Sequence, residues 1–192
     1  MEIEKEKILL AEIKSNPDMF GILYDEYYHT VFSYIFRRLG EYESARDVAS
    51  ETFLKAYLKI RSFEWRGISL IFWLLRIASN EINLFFRNIK YVPQSFQYRI
   101  SNQGLNISDN VVEQQDKERI SNEFDQHEAF MKIQLQLKQL HVKYQEVIAL
   151  RYFEQKSIKE IATILNKKEG TVKSLCRLPL FSGHSKLEFS KF

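Results

Sequence analysis

From Asp18 to Leu39 apolar residues recur at helical spacing: Phe20, Leu23, Tyr24, Tyr27, Val31, Ile35 and Leu39 track one face. Pro17 stands just ahead, where proline suits a helix start, and Arg37, Arg38 and Gly40 form a basic last turn with a C-cap. Gly21 interrupts the pattern at a cost of ~1 kcal/mol against alanine, and close packing is the only ground the sequence offers for it. A second helix is predicted from about Glu43 to Ile60, burying Ala45, Val48, Ala49, Phe53, Ala56, Tyr57 and Ile60. A separate stripe carries Asp47, Glu51, Leu54 and Leu58. Acids and leucines on one outward face suit a partner surface, and a solvated face with two incidental leucines stays open beside it.

A loop follows from Arg61 to Ser69, placing Phe63 and Trp65 beside Arg61 and Arg66. Ser69 can cap a helix from Leu70 to about Lys90 that is apolar over most of its circumference. Its narrow polar stripe is Arg76, Asn80, Asn83 and Arg87, headed by Trp73. Amides and guanidiniums in line beside an aromatic, arginine-bearing loop suit single-stranded nucleic acid, where bases stack on rings and cations follow phosphates. Taken alone, Trp73 reads more simply as core.

Periodicity fades from Tyr91 to about His127, where Asn, Gln, Ser and acids dominate after Pro93. This is expected to be a polar, acidic linker with a short helix near 111–124. A helix from about Phe130 and another over Tyr144–Glu154 then lead into S-I-K-E-I-A-T-I-L-N-K-K-E-G-T-V-K-S-L at 157–175. Ile158, Ile161, Ala162 and Leu165 make one apolar stripe, with Ser157 and Glu160 at capping-box spacing. Asn166 is a candidate left-handed stop. A second helix from Glu169 should turn Val172 and Leu175 inward and Thr171, Lys173 and Ser174 outward. Spacing alone leaves a helix-turn-helix and an ordinary helical hairpin both open.

Composition sharpens this picture. Few glycines and prolines, six and three in 192 residues, and no alternating pattern favour an all-α chain. The net charge of +3 announces no global basic field, so the placement of charge matters more than its sum. The single Cys176 excludes an internal disulfide or multi-cysteine metal site, and His29, His127, His141 and His184 are scattered. No nucleophile–base pair, metal cluster or phosphate-cradling glycine loop is recognisable, so the expectation is a non-enzyme without cofactor. With no signal core and no apolar run of membrane length, a cytoplasmic location is the default.

Five stretches in this order carry a family likeness: L-Y-D-E-Y-Y at 23–28, A-R-D-V-A-S-E-T-F-L-K-A-Y at 45–57, F-W-L-L-R-I-A-S-N at 72–80, Y-Q-E-V-I-A-L-R-Y-F-E at 144–154 and the 157–174 segment. The chain resembles bacterial RNA polymerase sigma factors of the small extracytoplasmic-function group of the sigma-70 family. The resemblance implies two helical domains: region 2 at 17–90 and a region 4 helix-turn-helix at 129–178. An N-terminal extension (1–16), a linker (91–128) and a divergent tail (179–192) complete the expected division.

The resemblance further implies partners and roles. Asp47, Ser50, Glu51, Phe53 and Leu54 would contact the β′ clamp of core polymerase. Arg61, Phe63, Trp65 and Arg66 would lie in a base-capturing loop for the minus-10 element, and Trp73, Arg76, Asn80, Asn83 and Arg87 on a strand-tracking helix. The C-terminal domain would sit on the β flap and read the minus-35 element through Lys168, Thr171, Lys173, Ser174 and Arg177. An anti-sigma factor is a further expected partner, and no membrane insertion is expected.

The chain departs from the family pattern at three places. Ser50 stands where glutamine is common, and Lys167 and Lys168 stand where an apolar residue and a serine cap are usual. After Leu175 the expected Arg/Leu-rich helix gives way to C-R-L-P-L-F-S-G-H, in which Pro179 should end or kink the helix. A truncation or reading-frame shift near codon 175, with impaired minus-35 binding, is the corresponding expectation. A conventional helix-turn-helix regulator and a sigma-like protein without initiation activity are the alternatives.

Overall fold

The computed structural model describes residues 3–90, 137 and 140–181. Among them every regular element is helical. The N-terminal unit comprises α1 (Ile3–Ser15), α2 (Phe20–Leu39), α3 (Tyr42–Lys59) and α4 (Leu70–Lys90). Short 3-10 turns at Pro17–Met19 and Ile60–Ser62 join α1 to α2 and open the loop after α3. The C-terminal unit comprises α5 (Val142–Ile148), α6 (Ile158–Leu165) and α7 (Glu169–Phe181), with a π-helical turn, Ala149–Phe153, after α5.

Local chemistry sets the boundaries. Asn16 accepts from the Asp18 amide at 3.2 Å and starts the first 3-10 turn, with Pro17 at its first position. Gly40 ends α2 at φ 70°, a left-handed conformation that glycine adopts without penalty. Glu41 caps α3, accepting from the Glu43 and Ser44 amides at 2.9 and 2.6 Å. In α6 the predicted capping box is complete: Glu160 N–H donates to Ser157 Oγ, and Ser157 N–H donates to Glu160 Oε2. Asn166 stops the helix in the left-handed region, at φ 53°.

The core runs continuously through both units. Leu23, Val31, Ile35, Ala45, Ala49, Leu74, Leu75, Ala78 and Ile82 fill the space between α2, α3 and α4. Val147, Leu150, Ile161 and Val172 fill the C-terminal unit. α4 also packs against α6, and the π-helical turn packs against α2. A helix apolar over most of its circumference needs a second neighbour, and here the C-terminal unit is that neighbour. Ile164, off the stripe predicted for α6, is fully buried for the same reason.

Four sequence expectations change. The residues read as an N-terminal extension form α1, whose Leu9, Leu10 and Ile13 enter the core and whose Glu6 is fully buried. Tyr57, assigned to the inner side of α3, is exposed and meets Phe20 edge to face at 5.2 Å between centroids. Gly21 is exposed, and a Cβ there would meet nothing within 4 Å, so close packing does not explain it. α7 continues two residues beyond Pro179. At Pro179 the helix forfeits one hydrogen bond, to the carbonyl four residues back. The linker, its short helix and the tail after Phe181 lie outside the described residues.

Candidate nucleic-acid and polymerase interfaces

Three surfaces carry the candidate residues. On α3, Asp47, Ser50, Glu51 and Leu54 are exposed together, and Leu58 extends the patch, with Leu54 52% and Leu58 68% exposed. Two large apolar side chains thus lie in water beside carboxylates. Lys55 ties this face down, pairing with Glu51 at 3.1 Å and Glu81 at 2.5 Å. Its ammonium pKa is raised, first by the hydrogen bond to Glu81. Phe53 does not belong here. It is 4% exposed and packs on Tyr24 at 4.8 Å between centroids. One position along a helix turns a side chain by about 100°, which separates Phe53 from Leu54.

The second surface is a cleft of about 460 Å³ between the Ile60–Ser69 loop, the start of α4 and the end of α6. Phe63 and Trp73 lie ring against ring, 4.6 Å between centroids at 41°. Both are half-buried, so Trp73 is neither plain core nor free. Arg66 projects from the loop with its side chain 79% exposed, and Arg61 is also exposed. Gly67 bends the loop at φ 69°. Trp65 is half-buried against the core. Aromatic faces flanked by guanidiniums in a groove of this size can stack an unpaired base and hold its phosphate.

The strand-tracking stripe on α4 divides. Asn80 and Arg87 face solvent. Arg76 instead meets the C-terminal end of α6, donating from Nε to the Ile164 carbonyl at 2.9 Å and from Nη2 to the Thr163 carbonyl. Asn83 donates to Glu146 of α5 at 3.4 Å. Arg37 pairs with Glu154 at 2.8 Å and lies over the Phe153 ring. Burial raises the Glu154 carboxyl pKa, against the lowering effect of Arg37. The joint is imperfect: Arg38 is buried beside Tyr34 and Phe86, with Nε and Nη2 lacking partners among the described residues, as do Asn83 Oδ1 and Gln145 Oε1.

The third surface is α7. Lys168, Thr171, Lys173, Ser174 and Arg177 are all exposed, Val172 is fully buried and Leu175 half-buried. The Lys168 carbonyl accepts from the Thr171 and Val172 amides, so the helix starts at the expected place although lysine offers no side-chain acceptor. Cys176 is half-buried, and burial raises its thiol pKa, which disfavours the reactive thiolate. Among the described residues no group of three or more His, Cys, Asp or Glu could hold a metal, and no helix is long and apolar enough to cross a membrane.

The sequence reading missed the role of α1 in the loop. Lys14 Nζ donates to the Phe63 carbonyl at 2.6 Å, and Glu6 accepts from Ser69 and Leu70. The sequence shows only that Glu6 shares a helical face with Leu9, Leu10 and Ile13, an acid at the head of an apolar stripe.

The Sigma-70 region 2 family model matches residues 23–90, and the model for Sigma-70, region 4 matches residues 130–177. The chain is similar to the ECF RNA polymerase sigma factor BldN of Streptomyces coelicolor, 30% identical over 158 residues and 82% of this chain. It spans little more than half of that relative, 56% of its length. It is also similar to the ECF RNA polymerase sigma factor SigW of Bacillus subtilis, 31% identical over 175 residues and 91% of each chain. Among solved structures, CnrH in complex with the cytosolic domain of CnrY shares the fold, with a TM-score of 0.60 at 19% identity over 90% of each chain.

Proposed function

The chain belongs to the extracytoplasmic-function sigma factors of the sigma-70 family, and on that premise we propose that it binds core RNA polymerase in the cytoplasm and directs initiation at its own class of promoter. Asp47, Ser50, Glu51 and Leu54, extended by Leu58, dock on the β′ clamp. Arg61, Phe63, Trp65, Arg66 and Trp73 receive unpaired bases of the minus-10 element, and Arg76, Asn80, Asn83 and Arg87 follow the strand. α7 enters the major groove of the minus-35 element, where Lys168, Lys173 and Arg177 set affinity and Thr171 and Ser174 reach base edges. The C-terminal unit rests on the β flap, and an anti-sigma factor is the partner expected to cover both units.

The observation that carries this reading is the cleft lined by Phe63, Trp73 and Arg66 of the loop, with Arg76 from α4. No covalent step is involved. The cleft offers stacking and charge that paired bases cannot use, so binding favours the melted state of DNA over the duplex. Arg76 and Asn83 reach a strand only after the C-terminal unit moves off α4. Closure of the two units therefore competes with promoter binding.

In vitro transcription tests the proposal. Core polymerase plus the protein on sheared genomic DNA should give discrete starts above the core-only background, with a shared upstream sequence. Absence of both starts and polymerase binding would overturn it. A second reading, polymerase binding without minus-35 recognition, draws on the loss of the Arg/Leu pattern after Leu175. It predicts polymerase binding without discrete starts.

A further inference from the structure

Glu6 is fully buried in a core otherwise filled by Leu9, Leu10 and Ile13, and no cation among the described residues pairs with it. Its carboxylate accepts three hydrogen bonds instead: Tyr27 Oη at 2.5 Å and Ser69 Oγ at 2.6 Å on Oε1, and the Leu70 amide at 2.7 Å on Oε2. A buried carboxylate without a cation is costly, and only a full set of donors makes it tolerable. Burial and the Glu6 hydrogen bond push the Tyr27 hydroxyl pKa well up, so Tyr27 remains a donor at any ordinary pH. Two of the three donors, Ser69 and Leu70, are the last residue of the loop and the first of α4.

About two turns further along α1, roughly 12 Å by helical rise, Lys14 holds the Phe63 carbonyl at the other end of the loop. Phe63 in turn rests on Trp73, in the first turn of α4. The contacts close a ring: α1 to Phe63, Phe63 to Trp73, Trp73 along α4 to Leu70, and Leu70 back to α1 through Glu6. The tip carrying Arg66 and Gly67 is suspended between the two anchors.

We propose that Glu6 and Lys14 are positioning residues for the base-capturing cleft. By fixing both ends of the loop to one rigid helix, they set the gap between the aromatic pair and the loop tip, and so determine which unpaired base is accepted. The proposal rests on the reading of this loop as the base-capturing element. It adds a helix that touches no DNA to the determinants of base preference.

The test uses the full chain bound to core polymerase and a random-sequence pool of single-stranded DNA oligonucleotides. Enriched bases are counted by sequencing. Wild type should enrich particular bases at defined positions. If it enriches none, the base-capturing reading fails and the proposal falls with it. Given enrichment, Glu6→Gln keeps the shape but puts an NH2 group where one carboxylate oxygen accepted. It should flatten the base ratios at least fivefold while core-polymerase affinity stays within twofold. Lys14→Met, which keeps the aliphatic stem, should flatten them two- to threefold.

Leu9→Ala separates positioning from stability. It weakens the α1 core but removes neither the Glu6 nor the Lys14 hydrogen bonds to the loop, and should lower the melting temperature with base ratios intact. A folded Glu6→Gln protein with wild-type ratios, or a Leu9→Ala protein as flattened as Glu6→Gln, would overturn the proposal. Should Glu6→Gln fail to fold, Ser69→Ala and Lys14→Met decide it: unchanged ratios in both reject the positioning role.

Discussion

Arg76 on α4 donates its Nε hydrogen to the carbonyl of Ile164, 88 residues away in the chain, at 2.9 Å. The same guanidinium also reaches the Thr163 carbonyl, so one side chain caps the C-terminal end of the first helix of the helix-turn-helix. A cation there meets the negative end of the helix dipole as well as two last-turn carbonyls, of which that of Thr163 also accepts from the Asn166 amide. A side chain that the sequence suggests for following a DNA strand is thus engaged in holding the two units together.

Arg76→Met should therefore loosen the closed form. Charged hydrogen bonds of this kind contribute ~1.5–3 kcal/mol, and the joint already contains buried polar atoms without partners. Small-angle X-ray scattering should report a larger radius of gyration for the variant than for wild type. Identical scattering profiles would mean that apolar packing between α4 and α6 suffices on its own.

Phe53 and Leu54 are neighbours that should behave oppositely. Phe53→Ala removes a core ring and should destabilise the fold by ~3–5 kcal/mol in urea denaturation. Leu54→Ala should leave stability almost unchanged and weaken binding to core polymerase about tenfold, equivalent to ~1.4 kcal/mol. Polymerase binding unaffected by Leu54→Ala would remove the α3 face from the proposed contact.

Gly21→Ala should stabilise the protein by up to ~1 kcal/mol, because the position is helical, exposed and has room for a methyl group. A higher urea midpoint at unchanged slope is the expected result. A destabilised variant would indicate a steric demand that the free chain does not contain.

The capping box gives α6 an acid-sensitive start. Hydrogen bonds from Ser157, the backbone one first, hold the Glu160 carboxyl below its ordinary pKa. A depressed carboxylate adds stability above its unfolded value, near ~4.3, and that stability is lost as pH falls through the lower folded value. Amide exchange in α6 should accelerate over that window, and Glu160→Gln should remove the acid dependence. Ser157→Ala should cost ~1 kcal/mol at neutral pH.

Elements whose signals are local were legible. Ser157, Glu160 and Asn166 specify the limits of α6 through hydrogen bonds within a few residues, and Gly40 ends α2 by its own backbone freedom. What failed to show were relations across long separations. Burial of Ile164 depends on a helix from the other unit, and the outward set of Tyr57 depends on how α2 lies against α3. The apolar girth of α4 announced two neighbours without naming the second. In the candidate site, Phe63, Arg66, Trp73 and Arg76 were identifiable by type and spacing, whereas Thr163 and Asn166, which line the cleft from the other unit, were not. Support of the loop by Glu6 and Lys14 was not legible, because a lone acid on an apolar stripe gives no hint of which distant amide it meets.

Closure through Arg76 uses main-chain acceptors, and every helix end presents such carbonyls whatever its sequence. Under the proposed function, substitutions on the outer face of α7 can therefore change which minus-35 sequence is read without altering how the two units rest on each other. Mutation of Arg76 on α4 retunes that resting state and the proposed minus-10 strand contact together, without touching α7. Under the proposed function, choice of the minus-35 sequence and readiness to engage fall to separate parts of the gene, each free to drift or be selected on its own.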